Sequence, residues 1–494
     1  MYLGIDLGTS EVKVLLLADN GQAVGHARAP LTVSRPAPRW AEQDPLDWWR
    51  GTLEALAVLR KAHPLEYGAV RAIGLSGQMH GPVLLGRDDR VLRSTVLWND
   101  MRSAVECEVL AERLGASSLA AGSVPMPGFS APILMWIAAH EPAVFEQIDC
   151  VLLPKDYLRL QLTAERATDP SDAAGTLWLD VARRTWSDSL LEASGMKRSQ
   201  VPGLLDGNAP AGYLQPAIAA ELGLTPGIVV ATGGGDNAAS AAGIGATQRG
   251  DAFLSLGTSG VLSIIDDRFE PDTSTATHAF CHAIPARWLQ VSVLLSAASC
   301  LRWVCKLTST VEATLLQEVA ALDRQALAAA PVFLPYLSGE RTPHNDAYAE
   351  GVFFGLTHQT DRAHLAYAVL EGVAFGAADG LRALREGGVD VPSSVSLIGG
   401  GARSAFWAQL VTDVLRLPVS VHLGGEAAAA LGAARLGWLA TGAPAASVLV
   451  KPRVLAACEP DPTHFARLDE RLQRYRDLYR HVRPLFSADR PRLV

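Results

Sequence analysis

The feature that most constrains this chain is a short motif that occurs twice, half a chain apart. Leu-Gly-Thr-Ser stands at residues 7–10 with Val12 just beyond it, and it returns at residues 256–259 with Val261 in the same place. Each copy lies between two apolar runs rich in β-branched residues, which predicts a tight strand–turn–strand hairpin. A hairpin repeated at equivalent places indicates a fold made of two similar halves.

The length and composition agree with two halves. At 494 residues the chain exceeds what one hydrophobic core usually supports. Apolar residues make up 49% and charged residues 19%, which suits a globular protein with well-buried cores. We place the boundary just before the second hairpin. This gives an N-terminal domain over residues 1–245 and a C-terminal domain over residues 246–494.

Apolar runs alternate with helical patterns along the chain, which is typical of an α/β protein. Strands are predicted at 2–7, 12–18, 70–76, 228–232, 252–256, 260–265, 289–294 and 395–399. Helices are predicted at 45–61, 104–114, 237–245, 362–385 and 404–415, the last with Ser404 as its N-cap. A further helix, at 461–479, is rich in arginine and is expected to be an exposed helix that docks on the rest of the protein, not a binding element.

The composition also argues against several classes of partner. The formal charge of −8 is spread along the chain without a basic block, which disfavours nucleic acid or an anionic membrane as a partner. No stretch approaches the roughly 20 apolar residues that a membrane-spanning helix needs. The N-terminus enters a strand directly, and the six cysteines show no CxxC pairing, so we expect a cytoplasmic protein with reduced thiols. Self-association into a homodimer is left open.

Two glycine-rich turns accompany the hairpins. Residues 232–237 read TGGGDN and residues 398–404 read IGGGARS, and each follows a predicted strand and precedes a predicted helix. Glycine permits close approach, and the amides at a helix N-terminus favour phosphate. Neither turn is a P-loop or a clean GxGxxG motif. One hairpin alone is best interpreted as structural, but two hairpins and two glycine turns together predict a nucleotide-sized site between the halves.

Two aspartates lie at these turns. Asp6 ends the first strand beside the first hairpin, and Asp236 ends the first glycine turn. A carboxylate at such a place is often only a helix N-cap, and a helix N-terminus is expected to lower its pKa. Phosphoryl transfer needs a group that orients the attacking hydroxyl. A carboxylate of ordinary pKa is adequate when the hydroxyl loses its proton late.

A Gln-Met-His stretch at residues 78–80 follows an apolar strand and is flanked by glycines. A Met–His pair is usually core packing, but the carboxyl end of a strand is where α/β proteins place ligand groups. Trp98 and Asp100 add an aromatic wall and a polar neighbour, which suit the apolar face and the hydroxyls of a polyol. Asn237, next to Asp236, can share this duty.

Two other motifs are given no chemistry. His278, Cys281 and His282 look metal-like, but they form an incomplete ligand set at unusual spacing. The loop 338–343, Ser-Gly-Glu-Arg-Thr-Pro, is polar, and we expect it to face the cleft.

With these motifs in place, the chain resembles the FGGY carbohydrate kinase family over essentially residues 2 to 485. The stretch GVFFGL at 351–356, followed by HLAYAVLE at 364–371, is similar to the C-terminal signature of that family. The region 126–142 fits its N-terminal signature less well, because Ile133 stands where the family usually has lysine, and Glu11 replaces a frequent glycine. The resemblance implies an α/β fold of duplicated ribonuclease H-like (actin-like ATPase) domains with ATP in the interdomain cleft.

The resemblance further implies an activity and its cofactors, ATP and Mg²⁺. We expect ATP-dependent phosphorylation of D-xylulose. Ribulose, fuculose, gluconate or deoxyxylulose are alternative acceptors, and a non-kinase ATPase on the same fold is a more distant alternative. Asp236 is expected to be the catalytic base, and Asp6 to support magnesium and phosphate, with both carboxylates holding the metal through water.

The resemblance and the motifs together predict two sets of binding residues. The sugar contacts are Gln78, Met79, His80, Trp98, Asp100 and Asn237. The nucleotide contacts are Thr9, Ser10, Gly257, Thr258, Ser259, Gly400, Gly401 and Ala402. Because sugar contacts come mainly from the first half and nucleotide contacts largely from the second, we expect the cleft to close for reaction.

Overall fold

The computed structural model describes residues 1–272 and 274–486, and two seven-stranded sheets form its framework. The last residues of the predicted C-terminal domain, 487–494, lie outside the described residues. The first sheet has the order Pro210–Tyr213, Val229–Ala231, Ala72–Gly77, Tyr2–Leu7, Glu11–Leu17 and Ala23–Pro30, with Gly234–Gly235 paired to Ala72–Gly77. The second has the order His278–Cys281, Trp288–Leu294, Gly260–Asp266, Ala252–Leu256, Val395–Ile398, Val419–His422 and Val454–Cys458.

The two sheets repeat one topology. In each, a hairpin of two antiparallel strands carries the Leu-Gly-Thr-Ser motif at its tip. The second hairpin strand pairs with a further antiparallel strand. The first hairpin strand pairs with one parallel strand, a second parallel strand pairs with that one in turn, and an antiparallel strand closes the edge. This strand-by-strand correspondence confirms the duplicated α/β fold predicted from the repeated motif.

Helices and small sheets surround this framework. The α-helices are Pro45–Ala62, Pro64–Gly68, Ala104–Leu114, Ser130–His140, Pro142–Phe145, Pro154–Thr163, Pro170–Ala173, Asp188–Ala193, Pro216–Leu222, Asp236–Gly243, Ala298–Leu307, Glu312–Ala320, Arg324–Ala329, Arg362–Glu386, Ala405–Leu415, Ala428–Leu439, Ala445–Val448 and Phe465–Val482. The two-stranded sheets pair Glu42–Gln43 with Thr95–Val96, Val83–Leu85 with Cys150–Leu152, Ala167–Thr168 with Gly203–Leu204, Leu179–Asp180 with Thr185–Trp186, and Val332–Leu334 with Val352–Phe354.

The predicted strands and helices are present, with ends that agree within two residues except at the last helix. The Ser404 hydroxyl accepts a hydrogen bond from the Trp407 amide at 3.2 Å, which confirms the predicted N-cap. The last helix runs over Phe465–Val482, and one face of it docks on the second half as predicted. Its Arg471 is buried and donates to both carboxylate oxygens of Glu371, so the helix is fixed to the second half.

Two helices lie face to face between the sheets. They are Asp236–Gly243, in the first half, and Ala428–Leu439, which lies between two strands of the second sheet in sequence yet packs on the first sheet. Small residues make this approach possible, since a Cβ on Gly432 would lie 1.7 Å from the Ala239 carbonyl oxygen. A division at residues 245 and 246 therefore stays a prediction. It separates the two sheets but leaves one helix of the second half on the first sheet.

The structure also bears on what the sequence predicted about membrane-spanning helices and cysteine thiols. Within residues 1–272 and 274–486, no helix combines the length and apolar character that crossing a bilayer requires. All six cysteines are unpaired, and five of them are buried. Burial raises the pKa of the Cys281 thiol to about 12, so this side chain is an unreactive part of the core.

Candidate active site

The two aspartates lie at the same end of the first sheet. Asp6 is buried at the end of the strand Tyr2–Leu7, and its carboxylate accepts a hydrogen bond from the Ser76 hydroxyl at 3.0 Å. Asp236 is half-buried and begins the helix Asp236–Gly243, where its carboxylate accepts from the Asn237 amide at 2.7 Å. The N-cap is Gly235, not Asp236. The sheet thus brings together the two carboxylates that the motifs singled out.

The electrostatics of Asp236 differ from what the sequence predicted. Burial, and next the negative charge of Asp6, raise the pKa of Asp236 to about 7, while the hydrogen bond from the Asn237 amide lowers it. Burial also raises the pKa of Asp6. The expectation of an ordinary or lowered pKa for Asp236 is therefore wrong, because desolvation and a neighbouring carboxylate outweigh one backbone amide. The carboxyl group of Asp236 therefore has a pKa near neutral pH.

The first glycine turn positions Asp236 and does not cradle a phosphate. Gly233 has a φ of 84°, and a Cβ there would lie 2.2 Å from the Leu75 carbonyl oxygen, so the turn needs glycine for packing. The Gly233 amide donates to the Gly207 carbonyl at 2.9 Å, and the Gly235 amide donates to the Ser171 hydroxyl at 3.1 Å. These amides have protein partners, so the phosphate interpretation of this turn is wrong.

A buried ionic cluster supports this turn from behind. The Ser171 hydroxyl that receives the Gly235 amide also donates to Asp169. Asp169 forms an ion pair with Lys155 at 3.0 Å, and all three side chains are buried. Lys155 also packs on Gly77, the strand residue that pairs with Gly235: a Cβ on Gly77 would lie 3.2 Å from the Lys155 Cβ. A chain of contacts therefore runs from this cluster to the residue before Asp236. The sequence showed no motif for it.

His80 is the polar group of the predicted sugar stretch that is best placed to meet a ligand. Its backbone has a φ of 75°, and its ring stacks on Phe129 with centroids 4.1 Å apart. Burial, and then the charge of Arg341, lower the pKa of His80 to about 3, so the imidazole is neutral. Its Nδ1 lies 2.8 Å from the Gly175 carbonyl oxygen. Because a carbonyl only accepts, Nδ1 carries the hydrogen, and Nε2 is a hydrogen-bond acceptor.

Gln78 and Thr9 form one network with the indole of Trp98. The Thr9 hydroxyl donates to Gln78 Oε1 at 2.7 Å and accepts from Trp98 Nε1 at 2.9 Å. Gln78 Nε2 donates to Gln43 Oε1 at 3.0 Å. Gln78 is buried, and its amide is tied to its neighbours on both sides, which favours a supporting role; its contact with a sugar stays a prediction. Thr9 was predicted to contact the nucleotide, but its hydroxyl is hydrogen-bonded to Gln78 and Trp98, two residues of the predicted sugar site.

Asp100 is likewise a support. It is 1% exposed, and its carboxylate accepts from the Ala41 amide at 2.6 Å and from the Arg102 guanidinium at 2.9 and 2.8 Å. Both oxygens are therefore paired within the protein, which favours a supporting role, and a direct contact between Asp100 and the sugar stays a prediction. Trp98, two residues earlier, is half-buried and keeps part of its surface open.

Met79 joins the sugar stretch to the turn that carries Asp236. A Cβ on Gly235 would lie 2.9 Å from the Met79 sulfur, so the thioether packs directly on the turn. Asn237, two residues after Gly235, is half-buried. Met79 therefore connects the sugar stretch to the turn of Asp236, and a sugar pocket formed by Met79, His80, Trp98 and Asn237 stays a prediction.

The second hairpin and the second glycine turn lie together in the other half. A Cβ on Gly401 would lie 2.6 Å from the Leu256 Cβ, which shows how closely the turn packs on the hairpin. The Thr258 hydroxyl accepts from Arg302 at 3.0 Å, and the Thr258 carbonyl accepts from the Ala297 amide at 2.9 Å. Gly400 is exposed, whereas Gly401 and Ala402 are buried. Ser10, on the first hairpin, is exposed, and Ser259 is half-buried.

The structure adds two cationic side chains that the motifs did not reveal. Arg302 is exposed beside the second hairpin, where its charge suits an anionic ligand. Arg341, in the loop that was given no chemistry, is buried beside the sugar stretch and donates to the Trp98 carbonyl at 3.1 Å. The neighbouring opposite charges of Glu340 and Arg341 were the only signal in the sequence. Their burial depends on the tertiary fold.

The side chains of His278, Cys281 and His282, which look metal-like in the sequence, are hydrogen-bonded to groups of the protein. His278 Nδ1 lies 2.8 Å from the Ser123 hydroxyl, and His282 Nε2 lies 3.1 Å from the Ala246 carbonyl oxygen. The Cys281 thiol contacts the Val181 carbonyl at 3.5 Å. Among the residues that the structure describes, no group of three or more His, Cys, Asp or Glu side chains is arranged to hold a metal ion.

Comparison with known proteins identifies relatives along the whole chain. The model of the N-terminal domain of the FGGY family of carbohydrate kinases matches residues 1–243, and that of the C-terminal domain matches residues 252–441. The chain is 48% identical to a xylulose kinase of Escherichia coli (strain K12) over 490 residues, which are 99% of this chain and 100% of the relative. It is 34% identical to a xylulose kinase of Bacillus subtilis (strain 168) over 494 residues, covering 98% of each.

Solved structures agree with these relatives. The chain is similar to the crystal structure of a xyloylose kinase from Brucella ovis, with a TM-score of 0.88 and 46% identity, covering 98% of this chain and 99% of that one. It is also similar to a xylulose kinase from Rhodospirillum rubrum, with a TM-score of 0.83 and 29% identity, covering 98% of this chain and 99% of that one.

Proposed function

The chain belongs to the FGGY family of carbohydrate kinases, and on this premise we propose that it phosphorylates D-xylulose with ATP to give D-xylulose 5-phosphate. The observation that carries this proposal is the position of Asp236. Its carboxylate is half-buried, has a pKa of about 7, and stands at the turn against which the sugar stretch packs. A carboxylate in this state accepts the proton of a sugar hydroxyl as that oxygen attacks the γ-phosphorus.

Asp6 and Asp236 fit a magnesium ion that accompanies ATP. They offer hard oxygen donors, and the charge of Asp6 raises the pKa of Asp236, so a divalent cation between them relieves a repulsion that the protein itself creates. With only two carboxylates, such an ion keeps most of its water and phosphate ligands. When bound, Mg²⁺ neutralises phosphate charge. Asp6 would hold this ion through water, and Asp236 orients the hydroxyl.

We assign the sugar to Met79, His80, Trp98 and Asn237. His80 Nε2 accepts a hydrogen bond from a sugar hydroxyl, since Nδ1 is held by the Gly175 carbonyl. The half-buried indole of Trp98 covers an apolar face of the sugar. Gln78 and Asp100 act behind this wall, because their polar atoms are paired within the protein.

We assign the nucleotide to the second hairpin and the second glycine turn, through Gly257, Thr258, Ser259, Gly400, Gly401 and Ala402. Ser10 faces the same cleft from the first hairpin. The exposed guanidinium of Arg302, held by the Thr258 hydroxyl, adds a positive charge for the phosphates. A cytoplasmic location suits an ATP-dependent kinase. Self-association into a homodimer is a further proposal, which the molar mass of the protein in solution tests.

A panel of sugars tests the substrate. ADP release is measured with D-xylulose, D-ribulose, L-fuculose, gluconate and deoxyxylulose, each at several concentrations, and with no sugar. We expect the highest kcat/KM for D-xylulose and slow ADP release without sugar. The Asp236→Asn protein, prepared in the same way, controls for contaminating kinases. A higher kcat/KM for another sugar would identify that sugar as the substrate. ADP release that does not depend on sugar would identify the protein as an ATPase and not a sugar kinase.

A further inference from the structure

A loop of the second half reaches the sugar side of the first half. Arg341, in the loop 338–343, is 5% exposed, and its Nη2 donates to the Trp98 carbonyl at 3.1 Å. Its guanidinium carbon lies 5.0 Å from the centre of the Phe129 ring, the same ring on which His80 stacks with an interplanar angle of 11°. Arg341 therefore contacts the backbone of one proposed sugar-binding residue and the ring that supports another.

The loop holds Arg341 at a fixed place. Glu340 Oε1 accepts from the Leu295 amide at 2.9 Å and from the Arg341 amide at 2.8 Å. The Thr342 hydroxyl accepts from the Val293 amide at 3.1 Å and donates to the Ala276 carbonyl at 2.8 Å. The loop is thus tied to the end of the strand Trp288–Leu294. The guanidinium enters the first half from a rigid base.

Trp98 is held by both halves. Its indole donates to the Thr9 hydroxyl at 2.9 Å, within the first half, and its carbonyl accepts from Arg341 of the second half. Gly128, next to Phe129, has a φ of 85°, and a Cβ there would lie 2.0 Å from the same carbonyl oxygen. The Trp98 carbonyl, Gly128 and Phe129 are therefore packed tightly, and Arg341 closes this group from the other side of the cleft.

Burying a guanidinium is costly. Burial lowers the pKa of Arg341 to about 10, while Glu340 opposes this change, and a buried charge is retained only where its contacts outweigh the desolvation. An apolar side chain would fill the same space without this cost. The hydrogen-bond donor and the positive charge of Arg341 must therefore contribute interactions that an apolar side chain cannot. These interactions are made with the carbonyl of Trp98 and the ring of Phe129.

We propose that Arg341 is a positioning residue for the sugar: it fixes the Trp98 carbonyl and the Phe129 ring, and through them the indole of Trp98 and the imidazole of His80. The inference rests on the proposed function, which makes this pocket the sugar site. It follows that sugar affinity depends on a residue of the half that binds the nucleotide. Loss of the guanidinium loosens the pocket wall and weakens sugar binding more than nucleotide binding.

Matched variants test this. Arg341→Met removes the donors and keeps the length of the side chain, and Arg341→Lys keeps the charge. Arg435→Met is the control, because Arg435 is also buried and also links the two halves, but it donates to the carbonyls of Ala242 and Val450 at 3.0 and 2.8 Å. Initial rates are measured against sugar and against ATP. The shift of Tm is measured with D-xylulose alone and with a nonhydrolysable ATP analogue and Mg²⁺ alone.

We expect Arg341→Met to raise the KM for D-xylulose about ten- to hundred-fold, the usual effect of losing a hydrogen bond from a charged group. The KM for ATP changes much less, and the Tm shift with D-xylulose is lost while the shift with the nucleotide is kept. Arg341→Lys recovers part of the sugar affinity. Arg435→Met lowers the Tm but keeps both ligand-induced shifts.

Three results would overturn the inference. The first is an Arg341→Met protein that keeps the wild-type KM for D-xylulose and the wild-type sugar-induced Tm shift. The second is an equal loss of the sugar-induced and nucleotide-induced Tm shifts in both the Met and the Lys variant. The third is failure of both variants to fold. The last two would assign Arg341 to the stability of the fold alone. Absence of any sugar-induced Tm shift in the wild-type protein would refute the proposed function instead, so the two failures are distinguishable.

Discussion

We propose that Asp236 is the catalytic base, because opposing influences on its carboxylate leave its pKa near neutral. The amide of Asn237 stabilises the charged form, whereas burial and the charge of Asp6 favour the protonated form and prevail. A general base is most effective when its pKa lies near the working pH. The turn 232–237 and the strand Tyr2–Leu7 together produce this state, and neither segment does so alone.

Replacement of Asp236 tests its role as base. Asp236→Asn keeps the size of the side chain and removes its ability to take a proton, so we expect turnover with D-xylulose to fall roughly 10²–10⁴-fold. Nucleotide binding, followed by the Tm shift with an ATP analogue, should stay near the wild-type value. Retention of most of the turnover by a well-folded variant would exclude Asp236 as the base.

The pH dependence of the reaction follows from the same pKa. Only the ionised carboxylate accepts a proton, so kcat/KM for the sugar should rise with pH through the pKa of Asp236 and level off above it. Without metal this pKa is about 7, and bound magnesium, which offsets the charge of Asp6, should place the half-plateau point below that value. Asp6→Asn removes the neighbouring charge that raises this pKa, so its half-plateau point should move to lower pH. Profiles of both proteins between about pH 5 and 9, at excess magnesium, measure this difference. An unchanged midpoint in Asp6→Asn would contradict the coupling of the two carboxylates.

At the scale of elements, the two hairpins show how a duplicated unit diverged. Asp6 and Ser255 occupy the same place, two residues before the glycine of each motif and at the end of each central strand. Asp6 lies beside Ser76 across a parallel pair, and Ser255 lies beside Ile398 across the corresponding pair. The backbone is repeated, but only the first copy supplies a carboxylate there. The two halves therefore share a fold and divide the chemistry.

The helices Asp236–Gly243 and Ala428–Leu439 give a second prediction at this scale. A Cβ on Gly432 would lie 1.7 Å from the Ala239 carbonyl oxygen, so Gly432→Ala forces the two helices apart. We expect a loss of about 1–3 kcal/mol or more in the free energy of unfolding. The shift also moves Asp236, which begins the partner helix, so kcat should fall.

Gly68→Ala is the control for this variant. Gly68 ends a short helix and is exposed, and a Cβ added there would have no neighbouring atom within 4 Å. Its free energy of unfolding should stay within about 0.5 kcal/mol of wild type, because surface substitutions of this kind are nearly neutral. Denaturant titration of both variants measures the difference. Equal stabilities would show that the interhelix packing tolerates a methyl group.

At the scale of the whole molecule, the site draws on both halves. The proposed base and most proposed sugar contacts belong to the first half, the proposed nucleotide contacts belong to the second, and Arg341 crosses between them. Water competes with the sugar for the γ-phosphoryl group. Attack requires the reacting atoms to lie roughly 3–3.5 Å apart. Closure of one half on the other excludes water and brings the reactants to that distance.

This closure is a prediction that scattering can test. D-xylulose together with a nonhydrolysable ATP analogue should reduce the radius of gyration measured by small-angle X-ray scattering. ATP hydrolysis without sugar should be much slower than sugar phosphorylation, since the closed site forms only when sugar is bound. An unchanged radius of gyration, combined with sugar-independent hydrolysis as fast as the kinase rate, would disprove closure as the means of excluding water.

The sequence by itself determined the features that depend on local pattern. The repeated motif predicted the duplicated fold, and alternating apolar residues predicted the central strands to within two residues. The positions of Asp6 and Asp236 at strand and turn ends also followed from the sequence, because the chemistry of a turn is set by its own residues. The helix Ala428–Leu439 was not predicted, although its alanine-rich sequence favours a helix.

Only the tertiary structure decided which side chains meet. It paired the polar atoms of Gln78 and Asp100 within the protein, set the pKa of Asp236 near 7, and brought Arg341 to Trp98. Arg341 and Trp98 are 243 residues apart, so no local pattern connects them. Desolvation and electrostatic interactions depend on neighbours supplied by the whole fold, and for that reason the sequence identified the acids but not their ionisation.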